Sequence, residues 1–169
     1  MTEDTAATTV PGPVPGQRDP AAADRDSAQD HVTVCMPAEG AYLSVLRTAT
    51  AGLAARLDFT LDEIEDLRIA VDEACAMLLA QAIPGTTLEC GFDLGAEEMT
   101  ITVSVTAAES RIPARDTFAW TVLSALAGTV DSRLGPDDQV SIVLRKHREA
   151  LNTEFGSTGN SGISGSRSG

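Results

Sequence analysis

The sequence predicts an α/β domain, a two-layer sandwich in which three helices cover one face of a mixed, mostly antiparallel sheet. Near its start, two successive segments repeat apolar residues every three or four positions, as amphipathic helices do. Farther along, two segments with strict apolar–polar alternation flank a short polar loop, which indicates a β-hairpin. A third helical pattern and a last alternating segment follow. The predicted order is therefore strand, helix, helix, hairpin, helix, strand.

The first strand is predicted around Val32, Val34 and Met36, which alternate with smaller or polar residues before Pro37. The first helix is predicted from Glu39 to Leu57. Its expected apolar stripe consists of Tyr42, Val45, Leu46, Ala49, Leu53 and Leu57.

The second and longest helix is predicted from Phe59 to Ala82. Thr60 and Glu63 have the T-x-x-E spacing of a capping box at its start, and Pro84 follows its end. Its apolar stripe consists of Leu67, Val71, Ala74, Cys75, Leu78 and Ala82.

One carboxylate of this helix, Glu73, falls among apolar residues such as Ile69 and Met77. A half-buried acid needs either a partner or a function. The structural alternative is neutralisation by an arginine, either Arg68 or Arg111. The functional alternative is a catalytic base, which would require a substrate hydroxyl and a metal-positioned phosphate beside it.

The hairpin is predicted to join residues 87–94 to residues 99–106. The third helix is expected from about Thr117 to Val130, with Trp120 packing in the core. A closing strand is expected around residues 140–144. The basic run Arg145–Arg148 at its end is interpreted as protection of an exposed sheet edge rather than as a nucleic-acid patch.

Composition limits the function classes. The chain has 25 acidic and 12 basic residues, a net charge of -13, which argues against DNA or anionic lipid as a direct partner and favours a basic protein partner. The cysteines Cys35, Cys75 and Cys90 have no metal-like spacing, so we expect buried thiols in a reducing cytoplasm and no metal. No apolar run is long enough to span a membrane.

The chain divides into three parts by composition. Residues 1–30 are rich in Pro, Ala, Thr and Asp and are expected to be disordered. Residues 31–150 carry all the periodic patterns and form the predicted domain. Residues 151–169 are dominated by Gly and Ser and are expected to be a flexible tail.

Residues 42–79, YLSVLRTATAGLAARLDFTLDEIEDLRIAVDEACAMLL, resemble the first two helices of RsbW/SpoIIAB-type anti-sigma factors, with the mycobacterial stress anti-sigma factors nearest. Residues 119–130, AWTVLSALAGTV, resemble the third helix of that family. The resemblance covers about residues 31–148. It implies the Bergerat fold of the GHKL ATPase superfamily.

In this family the second helix carries an E-x-x-x-N motif, whose Glu is a general base and whose Asn holds the magnesium that bridges the ATP phosphates. Glu73 matches the Glu, but Met77 stands at the Asn position. Magnesium takes oxygen ligands, and a thioether cannot replace an amide oxygen.

Two other nucleotide motifs of the family are also altered. No glycine occurs in residues 105–111, where D-x-G-x-G would stand, and the glycine-rich segment before the third helix is missing. The resemblance would place Glu73, Met77, Arg111 and Thr121 in a degenerate nucleotide pocket. We therefore expect no firm cofactor, with Mg-ATP implied only if the protein is an active kinase.

The resemblance implies an anti-sigma factor that sequesters an alternative sigma factor and is released by an anti-anti-sigma protein with a STAS domain. The family's partner-binding arginine corresponds to Arg47, which faces away from the predicted apolar stripe beside Leu43, Thr50 and Ala51. A homodimer in the cytoplasm is also implied. The alternative is an active protein serine kinase that phosphorylates its STAS antagonist with ATP.

Overall fold

The computed structural model describes residues 30–109 and 111–149. A short 3-10 turn over Gly40–Tyr42 leads into the first helix. In chain order the strands and helices are β1 Asp30–Pro37, α1 Leu43–Arg56, α2 Leu61–Leu79, β2 Thr87–Leu94, β3 Glu98–Thr106, α3 Phe118–Ala127, β4 Thr129–Leu134 and β5 Gln139–His147. The predictions for residues 1–29 and 150–169 lie outside the described residues.

The strands form one five-stranded sheet in the order β1-β2-β3-β5-β4. Every pairing within it is antiparallel, so the predicted mixed character of the sheet is wrong. The hairpin prediction is confirmed, because β2 and β3 pair in the register Phe92↔Ile101 and Cys90↔Val103. These apolar side chains are fully buried and form the core with the helices. The α/β sandwich is thus confirmed.

The strand β4 was not predicted from the sequence. The spacing of Leu126 and Val130 continues the helical pattern, but α3 ends at Ala127 and Gly128 follows it with φ 79°. The chain then turns directly into β4, which pairs with β5 in the register Val130↔Leu144. These six residues show little alternation of apolar and polar side chains. They form a strand because β5 supplies the hydrogen-bond partners, and such pairing between separate segments depends on the tertiary structure.

The basic run therefore does not protect a sheet edge, because β5 lies between β3 and β4. Lys146 is instead largely buried, and its Nζ donates to the Leu126 carbonyl at 2.9 Å and lies 3.4 Å from an Asp66 carboxylate oxygen. Arg148 donates to the Leu57 carbonyl at 3.4 Å. These side chains connect the end of β5 to all three helical regions.

Replacing Gly128 with Ala should lower the free energy of unfolding by at least about 1 kcal/mol, because a side chain is strained at positive φ. An added Cβ would also lie 3.4 Å from the Arg145 carbonyl oxygen. Urea unfolding followed by Trp120 fluorescence measures the effect. Gly52→Ala is the control, since a Cβ there meets nothing within 4 Å and alanine favours a helix. A Gly128→Ala protein as stable as the wild type would contradict the positive φ assigned to Gly128.

The helix α1 buries part of the predicted stripe, since Leu46 is in the core and Ala49, Leu53 and Leu57 pack against it, but Tyr42 and Val45 are exposed. Leu46, Thr50 and Ala54 are fully buried, whereas Tyr42 is 42% exposed and Val45 is 50% exposed. Packing against α2 rotates the helix so that the line of residues 46, 50 and 54 faces the core. The prediction that Thr50 contacts a partner is therefore wrong, because none of its surface is accessible.

The capping box of α2 is confirmed. The Thr60 N–H donates to Glu63 Oε2 at 2.7 Å, and the Glu63 N–H donates to Thr60 Oγ1 at 3.3 Å. The second carboxylate oxygen of Glu63 accepts the N–H of Glu149 at 2.7 Å, which the sequence did not predict. The helix ends at Leu79, three residues before the predicted end.

The cysteines are free thiols, and two of them are buried as predicted. Burial raises the pKa of Cys75 to about 12 and that of Cys90 still further. Cys35 is exposed, contrary to the prediction, because it lies on the uncovered face of the edge strand β1. Within residues 30–109 and 111–149, no helix is long and apolar enough to cross a membrane.

Candidate functional site

A groove of about 580 Å³ lies where the C-terminal half of α2 meets the loop that follows β3. It has mixed polar and apolar walls. Met77 and Gln81 line it from the helix side, and Glu109, Arg111 and Ile112 line it from the loop side. We call it the α2 groove.

Backbone contacts fix the two walls of the α2 groove relative to each other. Ala82 and Ala107 form an isolated antiparallel bridge. The Ile83 N–H donates to the Thr106 carbonyl at 2.9 Å, and the Ala108 N–H donates to the Gln81 carbonyl at 3.0 Å. The residues just beyond α2 are therefore held against the end of β3, which positions Met77 opposite the loop.

Met77 and Arg111, both predicted pocket residues, line the α2 groove together. Glu73 and Thr121 do not line it. Thr121 is exposed on α3, and its hydroxyl donates to the Thr117 carbonyl at 3.2 Å. Of the four residues that the resemblance would place in a nucleotide pocket, two therefore line the α2 groove and two lie outside it.

Glu73 is half-buried, and its carboxylate makes no hydrogen bond or ion pair with any residue that the structure describes. Neither arginine proposed to neutralise it does so. Arg68 pairs with Glu65 at 2.7 Å, and Arg111 pairs with Glu109 at 3.5 Å. That structural alternative is wrong, because each arginine has a closer acid on its own segment.

The resemblance to the E-x-x-x-N motif predicts an amide ligand for magnesium at position 77, where this chain has a methionine that lines the α2 groove. A thioether is a poor ligand for a hard cation. The described part of the chain contains no group of three His, Cys, Asp or Glu side chains able to hold a metal ion. The polar groups that line the groove are an exposed arginine–glutamate pair and the Gln81 amide.

The predicted partner-binding residue Arg47 does not point freely into solvent. Its Nε lies 2.5 Å from an Asp72 carboxylate oxygen on α2, while its side chain stays 45% exposed. The hydrogen bond to this carboxylate and its charge raise the pKa of Arg47. The sequence pattern did not indicate this partner, because an ion pair between two helices depends on how the helices pack. Arg47 thus joins two helices and still presents its guanidinium at the surface.

A second groove, of about 650 Å³, lies between α1 and the edge strand β1. Its walls are largely apolar. It is lined by Val32, Ser44, Val45, Thr48, Ala49, Gly52 and Leu53. We call it the α1 groove. Small residues one turn apart, such as Thr48, Ala49 and Gly52, were the available sequence signal, but the prediction that Val45 is buried hid it.

Trp120 is buried, as predicted, with 7% of its surface exposed. The guanidinium carbon of Arg115 lies 5.1 Å from its ring centroid, and Arg115 also pairs with Asp131 at 2.6 Å. These contacts hold the loop before α3 against β4. Trp120 therefore has a packing role.

The fold and the α2 groove place this protein in the class of α/β sandwiches that have a groove between the second helix and the loop after the third strand. The structure resembles the crystal structure of the RsbU and RsbW domains of Rv1364c from Mycobacterium tuberculosis, with a TM-score of 0.53 and 12% identity. The similarity covers 70% of this chain and 32% of that one. It shows the shared fold.

Sequence comparison identifies the relatives more closely. The chain is 34% identical over 90 residues to the anti-sigma-F factor RsbW of Mycobacterium tuberculosis H37Rv, which covers 53% of this chain and 54% of that protein. It is 42% identical over 53 residues to the serine-protein kinase RsbW of Bacillus subtilis 168, covering 31% of this chain and 33% of that protein. No family model matches. The chain is thus a relative of RsbW proteins and spans about half the length of the mycobacterial ones it matches.

Proposed function

We propose that this protein is an anti-sigma factor, which binds an alternative sigma factor and is released by a STAS-domain anti-anti-sigma protein. The observation that carries the proposal is the 90-residue similarity to a protein named anti-sigma-F factor. The fold shared with an RsbW domain supports it. The proposal includes a homodimer in the cytoplasm, without direct binding to nucleic acid.

The exposed side of α1 supports binding to a protein partner. Arg47 stands there beside Leu43 and Ala51, which are partly exposed, and Tyr42 is exposed at the start of the helix. Arginine and tyrosine are enriched among the residues that dominate protein interfaces. The net charge of -13 would accelerate association with a basic partner such as a sigma factor.

The proposal is tested by affinity capture from the native lysate with the full chain, followed by mass spectrometry. Arg47→Glu should lose the sigma factor that the wild type recovers, at least tenfold by quantitative peptide counts, because it reverses the charge at the centre of the surface. Arg56→Glu is the matched control, since Arg56 lies on the same helix and pairs with Asp30 instead.

A charge swap separates partner contact from fold support. Arg47→Asp combined with Asp72→Arg keeps an interhelical ion pair but moves the cation to α2. If the swapped protein regains sigma-factor binding, Arg47 acts only through the helix pair, and its assigned partner contact is wrong. Recovery of neither a sigma factor nor a STAS protein by the wild type would overturn the whole proposal.

The second candidate function is a protein serine kinase that phosphorylates the STAS antagonist. Two observations favour it: Glu73 is retained without a partner among the described residues, and several relatives are named serine-protein kinase RsbW. The substitution of Met77 for the magnesium ligand opposes it.

Mg-ATP should therefore show no saturable binding to the wild-type protein at millimolar concentrations in isothermal titration calorimetry. Met77→Asn should create or strengthen binding, and only when magnesium is present, because the amide supplies the missing oxygen ligand. Met77→Leu, which keeps the shape without the oxygen, is the control. Tight Mg-ATP binding by the unaltered chain would instead favour the kinase.

A further inference from the structure

The α1 groove is an apolar surface for which the described residues provide no cover. Val32 of β1 forms one wall, and Val45 and Leu53 of α1 form the other. Val45 is 50% exposed, although valine is usually buried. Ala49 and Gly52 leave space between the larger side chains, so the groove can accept aliphatic groups.

The N-terminal segment joins the domain at one end of this groove. β1 begins at Asp30, and the Asp30 carboxylate pairs with Arg56, the last residue of α1, at 2.6 Å. Twenty-nine residues precede Asp30 in the chain. Because β1 is an edge strand, its outer side is not covered by another strand of the sheet.

Only three side chains in residues 1–29 are aliphatic and larger than alanine or proline: Met1, Val10 and Val14. The two valines belong to the run Val-Pro-Gly-Pro-Val-Pro at residues 10–15. Proline restricts φ, so a segment with several prolines has less conformational entropy to lose on binding than an ordinary segment.

The α1 groove has apolar side chains at both of its ends. Val45 and Leu53 are eight residues apart on α1, and a rise of about 1.5 Å per residue places them about 12 Å apart along the helix axis. The groove is therefore long enough to accept two aliphatic side chains.

The connecting chain is long enough for this contact. Sixteen residue steps separate Val14 from Asp30, which gives a root-mean-square reach of roughly 20–24 Å for a flexible linker. From Arg56 to Ala49, at the middle of the groove, the distance along α1 is about 10 Å. Such a linker produces an effective concentration in the millimolar range.

We propose that residues 10–15 dock in the α1 groove of their own chain. This contact covers Val45 and Leu53 and occupies part of the helix to which we assign partner binding. Docking would then lower the apparent affinity for a protein partner, since only the undocked fraction can bind. That consequence rests on the proposed function, whereas the docking itself does not.

Thiol labelling of the full chain tests the docking. The reporter is Thr48→Cys, which lines the groove, in a Cys35→Ser background that removes the exposed native thiol. Iodoacetamide should label it about fivefold more slowly than in the same protein carrying Val10→Asp and Val14→Asp. Ala21→Asp with Ala22→Asp is the matched control, because it adds the same charge to the same segment and should leave the slow rate unchanged.

A second reporter, Ala55→Cys, is exposed on α1 outside the groove and should label equally fast in all variants. Equal Thr48→Cys rates with and without the valines would overturn the proposal. Protection that survives the double aspartate variant would also overturn it and would assign the groove to residues 150–169. Protection that rises with protein concentration would overturn it as well and would assign the groove to a second copy. If docking is found but no sigma factor is captured, only the proposed function fails.

Discussion

Glu63→Ala is expected to lower the free energy of unfolding by about 3 kcal/mol. The side chain is 4% exposed and accepts hydrogen bonds from the N–H groups of Thr60 and Glu149. Losing a helix cap costs about 1 kcal/mol, and losing hydrogen bonds to a charged group costs about 1.5–3 kcal/mol more. The effect is large because one carboxylate holds both the start of α2 and the chain beyond β5.

The same carboxylate makes stability depend on pH. Burial alone would raise the pKa of Glu63, but hydrogen bonds from Glu149 and Thr60, together with the charge of Lys146, outweigh burial and hold it below its usual value. Its charge therefore stabilises the fold above the unfolded-state pKa of about 4.3. This stabilisation is lost as the pH falls through the lower folded-state pKa.

Urea unfolding at a series of pH values, followed by the fluorescence of Trp120, the single tryptophan, measures both effects. Glu63→Gln is the companion variant, because it keeps the size of the side chain and removes the charge. The stability gap between it and the wild type should narrow below about pH 4. A constant gap down to pH 3 would show that the charge of Glu63 is not the source of the stability difference. Glu65→Ala, an exposed site on the same helix, serves as the control.

Leu46→Ala should be the other severe substitution, with a loss of about 3 kcal/mol. Leu46 lies on the core-facing side of α1 and is fully buried. Truncating a buried leucine removes apolar contacts and leaves a cavity. The matched control is Val45→Ala, one residue away on the same helix. Val45 is 50% exposed, so its truncation should change the stability by less than about 0.5 kcal/mol.

Comparing Leu46→Ala with Val45→Ala tests which side of α1 faces the core, as well as how much Leu46 contributes to core packing. If the two residues lay on one buried stripe, as their sequence spacing suggests, both substitutions would be costly. Equal losses for Leu46→Ala and Val45→Ala would mean that α1 is rotated so that both side chains face the core.

The sequence alone determined most of the local structure. The alternation in β2 and β3 defined the hairpin and its inward face, because a period of two survives in any half-buried strand. The T-x-x-E spacing fixed the start of α2, since a capping box is made by neighbours in the chain. The resemblance to RsbW proteins was also readable, because many of the similar residues stand together in residues 42–79.

Only the tertiary structure decided the features that depend on distant partners. Strand β4 exists because β5 pairs with it, and the rotation of α1 follows from packing against α2. The same packing buried Thr50 and joined Arg47 to Asp72, so it also decided which side of α1 remains available to a partner. Glu73 lacks a described partner because Arg68 and Arg111 have nearer acids. A local pattern specifies the type of element, whereas long-range contacts set its orientation and its exposed surface.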